Sequence, residues 1–224
     1  RINAIVTDFL DISRPSGVES SPADVFNVLE ETVAIMKAHK GFEGVTIEME
    51  GAAELPPAMI DSSKLKQVFM NLLLNSADAM EGSGIISVET KLKEGSAYGA
   101  IPARRRTDIQ RVFPPPSPPK DTGKPTGDEG ARTSGNKTVV ISFTDNGPGI
   151  GEEERKKIFD PFFTTKEPGK GTGLGLFISE GIVEAYRGRI NVRSKLGEGT
   201  TFEVSLEAME EAGRSDKATA EANN

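Results

Sequence analysis

The sequence predicts a two-layer α/β (α+β) sandwich, a mixed β-sheet with helices on one face. Three observations predict it. Apolar residues recur at helical spacing in four stretches, they alternate with polar residues in five shorter ones, and the two kinds interleave without the regular βαβ rhythm of a parallel sheet. With 224 residues, 36% of them hydrophobic, the chain can bury one good core or at most two small ones.

Ile2, Ile5, Val6, Phe9, Leu10 and Ile12 fall at helical spacing and stop at Ser13-Arg14-Pro15-Ser16-Gly17, which reads as the tail of a helix. Ser21-Pro22 supplies an N-cap and a first-turn proline for a second helix, carried by Val25, Val28, Leu29, Val33, Ile35 and Met36 to Lys40-Gly41. Val45, Ile47 and Met49 alternate with Thr46 and Glu48 in a short half-buried strand. Asp61 caps a third helix with the stripe Leu65, Val68, Phe69, Leu72, Leu73 and Met80, and Gly82-Ser83-Gly84 ends it. Alternation then predicts strands at 85–92, 139–144, 189–196 and 201–206, with a helix over 173–186.

Residues 94–137 interrupt this pattern. They hold half of the chain's 14 prolines, including Pro114-Pro115-Pro116-Ser117-Pro118-Pro119, and more basic than acidic residues, and they are expected to form a disordered loop insertion. Residues 209–224, polar and alanine-rich, are expected to form a flexible tail. The chain begins at Arg1 inside an amphipathic stretch, so it is expected to be a piece of something longer.

Composition removes several function classes. With no Cys, a disulfide framework, a cysteine nucleophile and a thiolate zinc site are excluded, and a single His excludes a His-rich metal centre. A net charge of -7 argues against a large footprint on nucleic acid. No apolar run reaches the roughly 18 residues that cross a bilayer.

Two glycine-rich segments carry the candidate chemistry. Asp145-Asn146-Gly147-Pro148-Gly149-Ile150 directly follows the apolar run Val139-Val140-Ile141-Ser142-Phe143, which places a carboxylate where a strand opens into a turn. Gly169-Lys170-Gly171-Thr172-Gly173-Leu174-Gly175-Leu176 leads straight into a helix, whose first backbone N–H groups can face phosphates. A Walker loop needs Ser or Thr after Gly-Lys, and position 171 is Gly; a dinucleotide loop follows a strand, and Phe159-Asp160-Pro161-Phe162-Phe163 precedes this one.

Taken in order, Asn71-Leu72-Leu73-Leu74-Asn75-Ser76-Ala77-Asp78-Ala79, then Asp145 to Ile150, Phe159 to Lys166, Gly171 to Leu176, and Gly197-Glu198-Gly199-Thr200-Thr201-Phe202 resemble the N, first glycine, F, second glycine and terminal Gly-Thr boxes of the GHKL ATP-binding superfamily. The likeness is strongest to the catalytic domain of sensor histidine kinases, especially nitrogen-regulator-type sensors, with Pro-Phe-Phe-Thr-Thr-Lys before the lid. The resemblance implies the GHKL-type fold, ATP and Mg²⁺ as cofactors, and a division into the end of a dimerisation helix (1–17), a catalytic domain (18–208) with the 94–137 insertion, and the tail.

The same resemblance assigns roles. Asp145 matches the aspartate that accepts a hydrogen bond from the adenine amino group, where guanine presents an acceptor and is repelled. Gly147 and Gly149 let the backbone approach the ring and Ile150 packs on its face. Asn75 matches the magnesium ligand, and Asn71, four residues earlier on the same helix face, joins it at the ATP site. Gly171, Thr172, Gly173, Leu174 and Gly175 hold phosphates, Lys166 pairs with the terminal phosphate, and Thr200 belongs to the terminal box. Asn71 and Lys166 are the candidate catalytic residues. Asp78 is expected to make a helix-face hydrogen bond, and Phe159, Phe162 and Phe163 to anchor the lid by burial.

Hydrolytic branches of the superfamily carry a Glu where this chain has Asn71, and an amide is no general base at neutral pH, so the resemblance implies a protein-histidine kinase. Its phosphoacceptor lies on a preceding helix absent from the chain, since His39 reads as a solvated helix-end residue. The implied partners are the kinase's own dimerisation domain, a response regulator and a second copy in a full-length homodimer. No nucleic acid is implied, and the location is cytoplasmic even if a longer protein is membrane-anchored. An anti-sigma-type serine kinase and a nucleotide-binding regulatory module without transfer are the alternatives.

Overall fold

Asp24 and Asp61 start the first two helices of the computed structural model, which describes residues 22–51, 54–95, 137–167, 169 and 171–209. Helix α1 runs Val25–Lys37 and is capped by the Asp24 side chain, which accepts from Asn27 N at 3.0 Å. The Ser21-Pro22 start is therefore corrected. Ala23 is committed to a bridge with Ala58, with N–H···O distances of 2.8 and 3.0 Å in the two directions, so the backbone turns helical only after it. Val25, Val28, Leu29, Val33 and Met36 are buried, whereas Ile35, expected on the same stripe, is 48% exposed. A 3₁₀ turn at Lys40–Phe42 leads into strand β1, Gly44–Gly51.

Helix α2, Ser62–Ala79, begins as expected at Asp61, whose Oδ1 accepts from Ser63 N at 2.9 Å and Lys64 N at 3.0 Å. Leu65, Val68, Phe69, Leu72, Leu73 and Met80 are all buried. Strands β2 (Ser83–Glu94) and β3 (Lys137–Asp145), the short helix α3 (Glu152–Arg155), helix α4 (Gly175–Ala185) and strands β4 (Arg189–Ser194) and β5 (Thr200–Glu207) complete the order. Helix α3 has no apolar stripe, which is why periodicity did not reveal it.

The sheet is mixed, ordered β1-β2-β3-β5-β4, with β1 and β2 parallel and the other pairs antiparallel. Its register stacks Val88, Phe143, Phe202 and Val192 in one row and Ile141, Val204 and Ile190 in the next. These side chains share one face with the apolar stripes of the helices in a single core, where Phe69 of α2 meets Phe143 at 5.4 Å between ring centres. The other face is polar: Glu203 of β5 accepts from Lys93 at 3.4 Å and from Arg193 at 3.2 Å.

Several expected boundaries move. The β2–β3 ladder runs as far as Glu94 opposite Lys137, so both ends of the expected insertion are strand, while residues 96–136 lie outside the described residues. Met209 donates to Pro57 O at 2.7 Å and is not frayed; 210–224 and 1–17 also lie outside. Strand β4 stops at Ser194 rather than 196, because the chain turns and Gly197 N donates to Pro148 O at 2.8 Å.

Candidate functional site

The sheet register brings one polar row to the end of the core face. Asp145, last residue of β3, lies opposite Ile86 on β2 and Thr200 on β5, and Thr200 lies opposite Ser194 on β4. Asp145 is only 3% exposed, and burial pushes its carboxyl above the usual carboxylate range, against hydrogen bonds that favour the ionised form. Oδ1 accepts from Gly147 N at 3.0 Å and Thr200 N at 3.2 Å; Oδ2 accepts from Ser76 Oγ of α2 at 3.1 Å. Thr200 Oγ1 is 2.9 Å from Ser194 Oγ, which also accepts from Ile150 N at 2.8 Å. Asp145, Gly147, Ile150 and Thr200 thus belong to one network.

Two glycines of this network are there for space and conformation. Gly149 has φ +73° and a Cβ there would stand 2.1 Å from Lys195 O; Gly199 has φ +86° and a Cβ there would stand 2.0 Å from Asp145 O. The first glycine turn and the β4–β5 turn consequently lock together beside Asp145.

Helix α2 also touches the other glycine segment. Asn71 Nδ2 donates to Gly175 O and to Ser179 Oγ, both at 3.3 Å, fastening the start of α4. Its Oδ1 has no partner among the described residues. Asn75, one turn on, is half-buried and its side chain likewise has no hydrogen-bond partner among the described residues. Leu174, the N-cap of α4, provides no side-chain cap and is itself buried; its N–H is held by Thr172 Oγ1 at 3.3 Å. A glycine-rich turn that ends in an uncapped helix start offers backbone donors to an anion.

The lid departs from expectation at two residues, Asp78 and Phe162. Lys166 is paired with the Asp78 carboxylate, so Asp78 reaches across to the lid instead of bonding along its own helix. Phe159 and Phe163 are half-buried and pack against the core, as expected. Phe162 does not: it is 70% exposed, with φ +66°, its N–H donating to Gly173 O at 3.0 Å. That bond and the close approach of Gly173, where a Cβ would meet Phe162 C at 2.4 Å, hold the ring outward. Gly171 lies beside Thr164 and Lys166. His39 starts the 3₁₀ turn, its Nδ1 accepting from Gly41 N at 3.1 Å, in an exposed position that supports the helix-end reading.

Ser76 and Ser194 were missing from the sequence-based site. The available signal for Ser76 was a hydroxyl on the buried 72/76/80 stripe of α2; for Ser194 there was none.

Residues 117–210 match the family described as histidine kinase-, DNA gyrase B-, and HSP90-like ATPase. That stretch holds Asp145, both glycine segments and Thr200, so the match covers the site apart from α2. Similar curated proteins are sporulation kinase E of Bacillus subtilis (28% identical over 212 residues, 95% of this chain and 23% of that protein) and sensor kinase CckA of Brucella abortus (31% over 218 residues, 97% and 20%). The signal transduction histidine-protein kinase AtoS of Escherichia coli is 31% identical over 205 residues, 92% of this chain and 27% of that protein. The chain therefore spans about a fifth to a quarter of these relatives. Among solved structures it resembles full-length ShkA in complex with AMPPNP (TM-score 0.63, 23% identity, 95% of this chain and 37% of that one) and the mycobacterial sensor histidine kinase MprB (TM-score 0.57, 19%, 85% and 98%). Among the described residues no helix is long and apolar enough to cross a membrane.

Proposed function

We propose that this GHKL domain binds Mg-ATP and transfers the γ-phosphate to a histidine on the dimerisation domain of its own kinase, within a two-component system that ends on a response regulator. The observation that carries the reading is Asp145, a buried carboxylate with three protein donors fixed around it and acceptor capacity left over. An adenine amino group satisfies that capacity; the carbonyl of guanine opposes it.

The other candidate residues take compatible roles. Ile150 and Gly149 border the ring, Thr200 fixes Asp145, and the 171–175 segment offers donors to the phosphates. The unpartnered amide of Asn75 suits Mg²⁺, which neutralises phosphate charge and takes most of its ligands from nucleotide and water. Lys166 leaves Asp78 for the terminal phosphate when nucleotide arrives, a stronger charge-assisted partner. In the transfer a P–O bond to ADP breaks and a P–N bond to the acceptor imidazole forms. The chain's contribution is positioning and charge, not acid–base chemistry. Asn71 supports transfer over hydrolysis: its amide nitrogen is tied to α4, and no base stands where a hydrolytic branch has Glu.

The test is ATP/Mg²⁺ titration of this chain with and without a separate His-containing dimerisation domain, followed for acid-labile phosphate. Phosphate is expected only on the added domain, with or without His39→Gln. Binding without transfer to that domain supports a regulatory module instead, and phosphate on the isolated chain that vanishes with His39→Gln refutes the assignment.

A further inference from the structure

Resting on that nucleotide reading, we infer that Ser76 is a positioning residue: it shares Asp145 Oδ2 with the nucleobase, keeps that carboxylate a pure acceptor, and so sets adenine selectivity. The argument is a count of lone pairs. Each carboxylate oxygen accepts two hydrogen bonds. Oδ1 is filled by Gly147 N and Thr200 N, whereas Oδ2 receives only Ser76 Oγ among the described residues. One acceptor position is left, on Oδ2, beside the serine hydroxyl.

A carboxylate that must reject a carbonyl has to stay ionised, because its protonated form donates and welcomes an oxygen at C6. Burial pushes Asp145 the wrong way, and only three hydrogen bonds oppose burial. Two come from backbone and are fixed by the fold. Ser76, itself 1% exposed, is the single side chain among them, so it is the one adjustable control. No charged group takes its place. Of the elements packed on Asp145, β2 presents Ile86, β5 presents Thr200, and the following loop presents backbone; Asp78 of α2 is turned to Lys166, and Glu203 of β5 is on the opposite sheet face with Lys93 and Arg193.

Placement strengthens the inference. Ser76 directly follows Asn75, so one turn of α2 would govern both ends of the nucleotide, with the metal amide at one position and the base-reading hydroxyl at the next. A serine on a buried stripe between Leu72, Leu73, Ala77 and Met80 has no packing reason to be polar.

The test measures affinities of ATP and ITP, whose hypoxanthine has a carbonyl in place of the adenine amino group, by calorimetry between pH 5 and 8. The chain and its Ser76→Ala, Ser76→Thr and Asp145→Asn variants are compared. The wild-type ATP:ITP ratio should hold across most of the range. In Ser76→Ala the pH at which the ratio collapses should rise by about one unit, a roughly tenfold gain in proton affinity for loss of one hydrogen bond to a charged group. Ser76→Thr, which keeps the hydroxyl, should restore the wild-type midpoint. An unchanged ratio and midpoint in Ser76→Ala, with ATP still preferred by wild type, overturns the role of Ser76 alone. A wild type that does not prefer ATP, and that Asp145→Asn leaves unaltered, overturns the nucleotide reading beneath it.

Discussion

Replacing Asn71 by Asp changes one NH₂ group to oxygen and should reveal how much the α2–α4 fastening contributes. Asn71 Nδ2 makes two contacts of 3.3 Å, to Gly175 O and Ser179 Oγ. The Ser179 hydroxyl can rotate and donate to a carboxylate, which recovers one of them. The Gly175 carbonyl has no proton, so the other becomes an oxygen facing an oxygen. One lost hydrogen bond plus that opposition amounts to about 1–2 kcal/mol, or a fall in melting temperature of roughly 3–8 °C. The new carboxyl is disfavoured in its ionised form, so its folded pKa lies above its unfolded value of about 3.9. The sign follows: the penalty is small below the unfolded pKa, grows as pH rises through the folded one, and is complete at neutral pH. Thermal melts by circular dichroism at pH 7.5 and pH 4.5 measure it, with wild type alongside. A variant as stable as wild type at pH 7.5, or one whose deficit is equal at both pH values, would refute the clamp.

Four other outcomes are expected. Asp145→Asn keeps the shape but turns an N–H toward the ligand, because Oδ1 must continue to accept from Gly147 and Thr200; calorimetry should show ATP binding weakened by roughly 1.5–3 kcal/mol, the worth of a hydrogen bond to a charged group. In the nucleotide-free chain, burial raises the Asp145 pKa, so wild type should lose stability relative to Asp145→Asn as pH climbs through that raised value, measured by paired melts. Asn75→Ala should abolish the enhancement of ATP affinity by Mg²⁺ without altering the circular dichroism spectrum, since the side chain is neither core nor hydrogen-bonded among the described residues. Replacing residues 96–136 by a short Gly/Ser link should leave ATP affinity within about twofold, because Glu94 and Lys137 are already paired and loop length costs little.

What the sequence disclosed depended on the range of the interaction involved. Strands β2 to β5 and helices α2 and α4 follow from local alternation and periodicity, and their observed ends lie within a few residues of expectation. Asp145, Gly147 and Gly149 were legible because a strand end and a glycine turn leave local marks, whereas Gly199 entered only through the resemblance of its box. Asp24 displaced Ser21 as the helix cap because of a bridge to Ala58, 35 residues away from Ala23 (58 − 23), which no local pattern records. Ser76 and Lys166 reveal their partners only when α2 meets β3 and the lid. Phe162 was misjudged because a ring at positive φ faces solvent, and hydrophobicity alone assigns it to the core.

The β2–β3 ladder has a further consequence for engineering. Ile86 opposite Asp145 closes one end of the pair, and Glu94 opposite Lys137 closes the other, eight residue steps along (145 − 137), about 27 Å at the rise of an antiparallel strand. The Asp145 network and the insertion point therefore occupy opposite poles of the same ladder. The junction is a natural splice point: a fluorescent reporter grafted between residues 95 and 137 would be carried on a two-stranded stem, remote from Asp145 and its hydrogen-bond partners at the other pole.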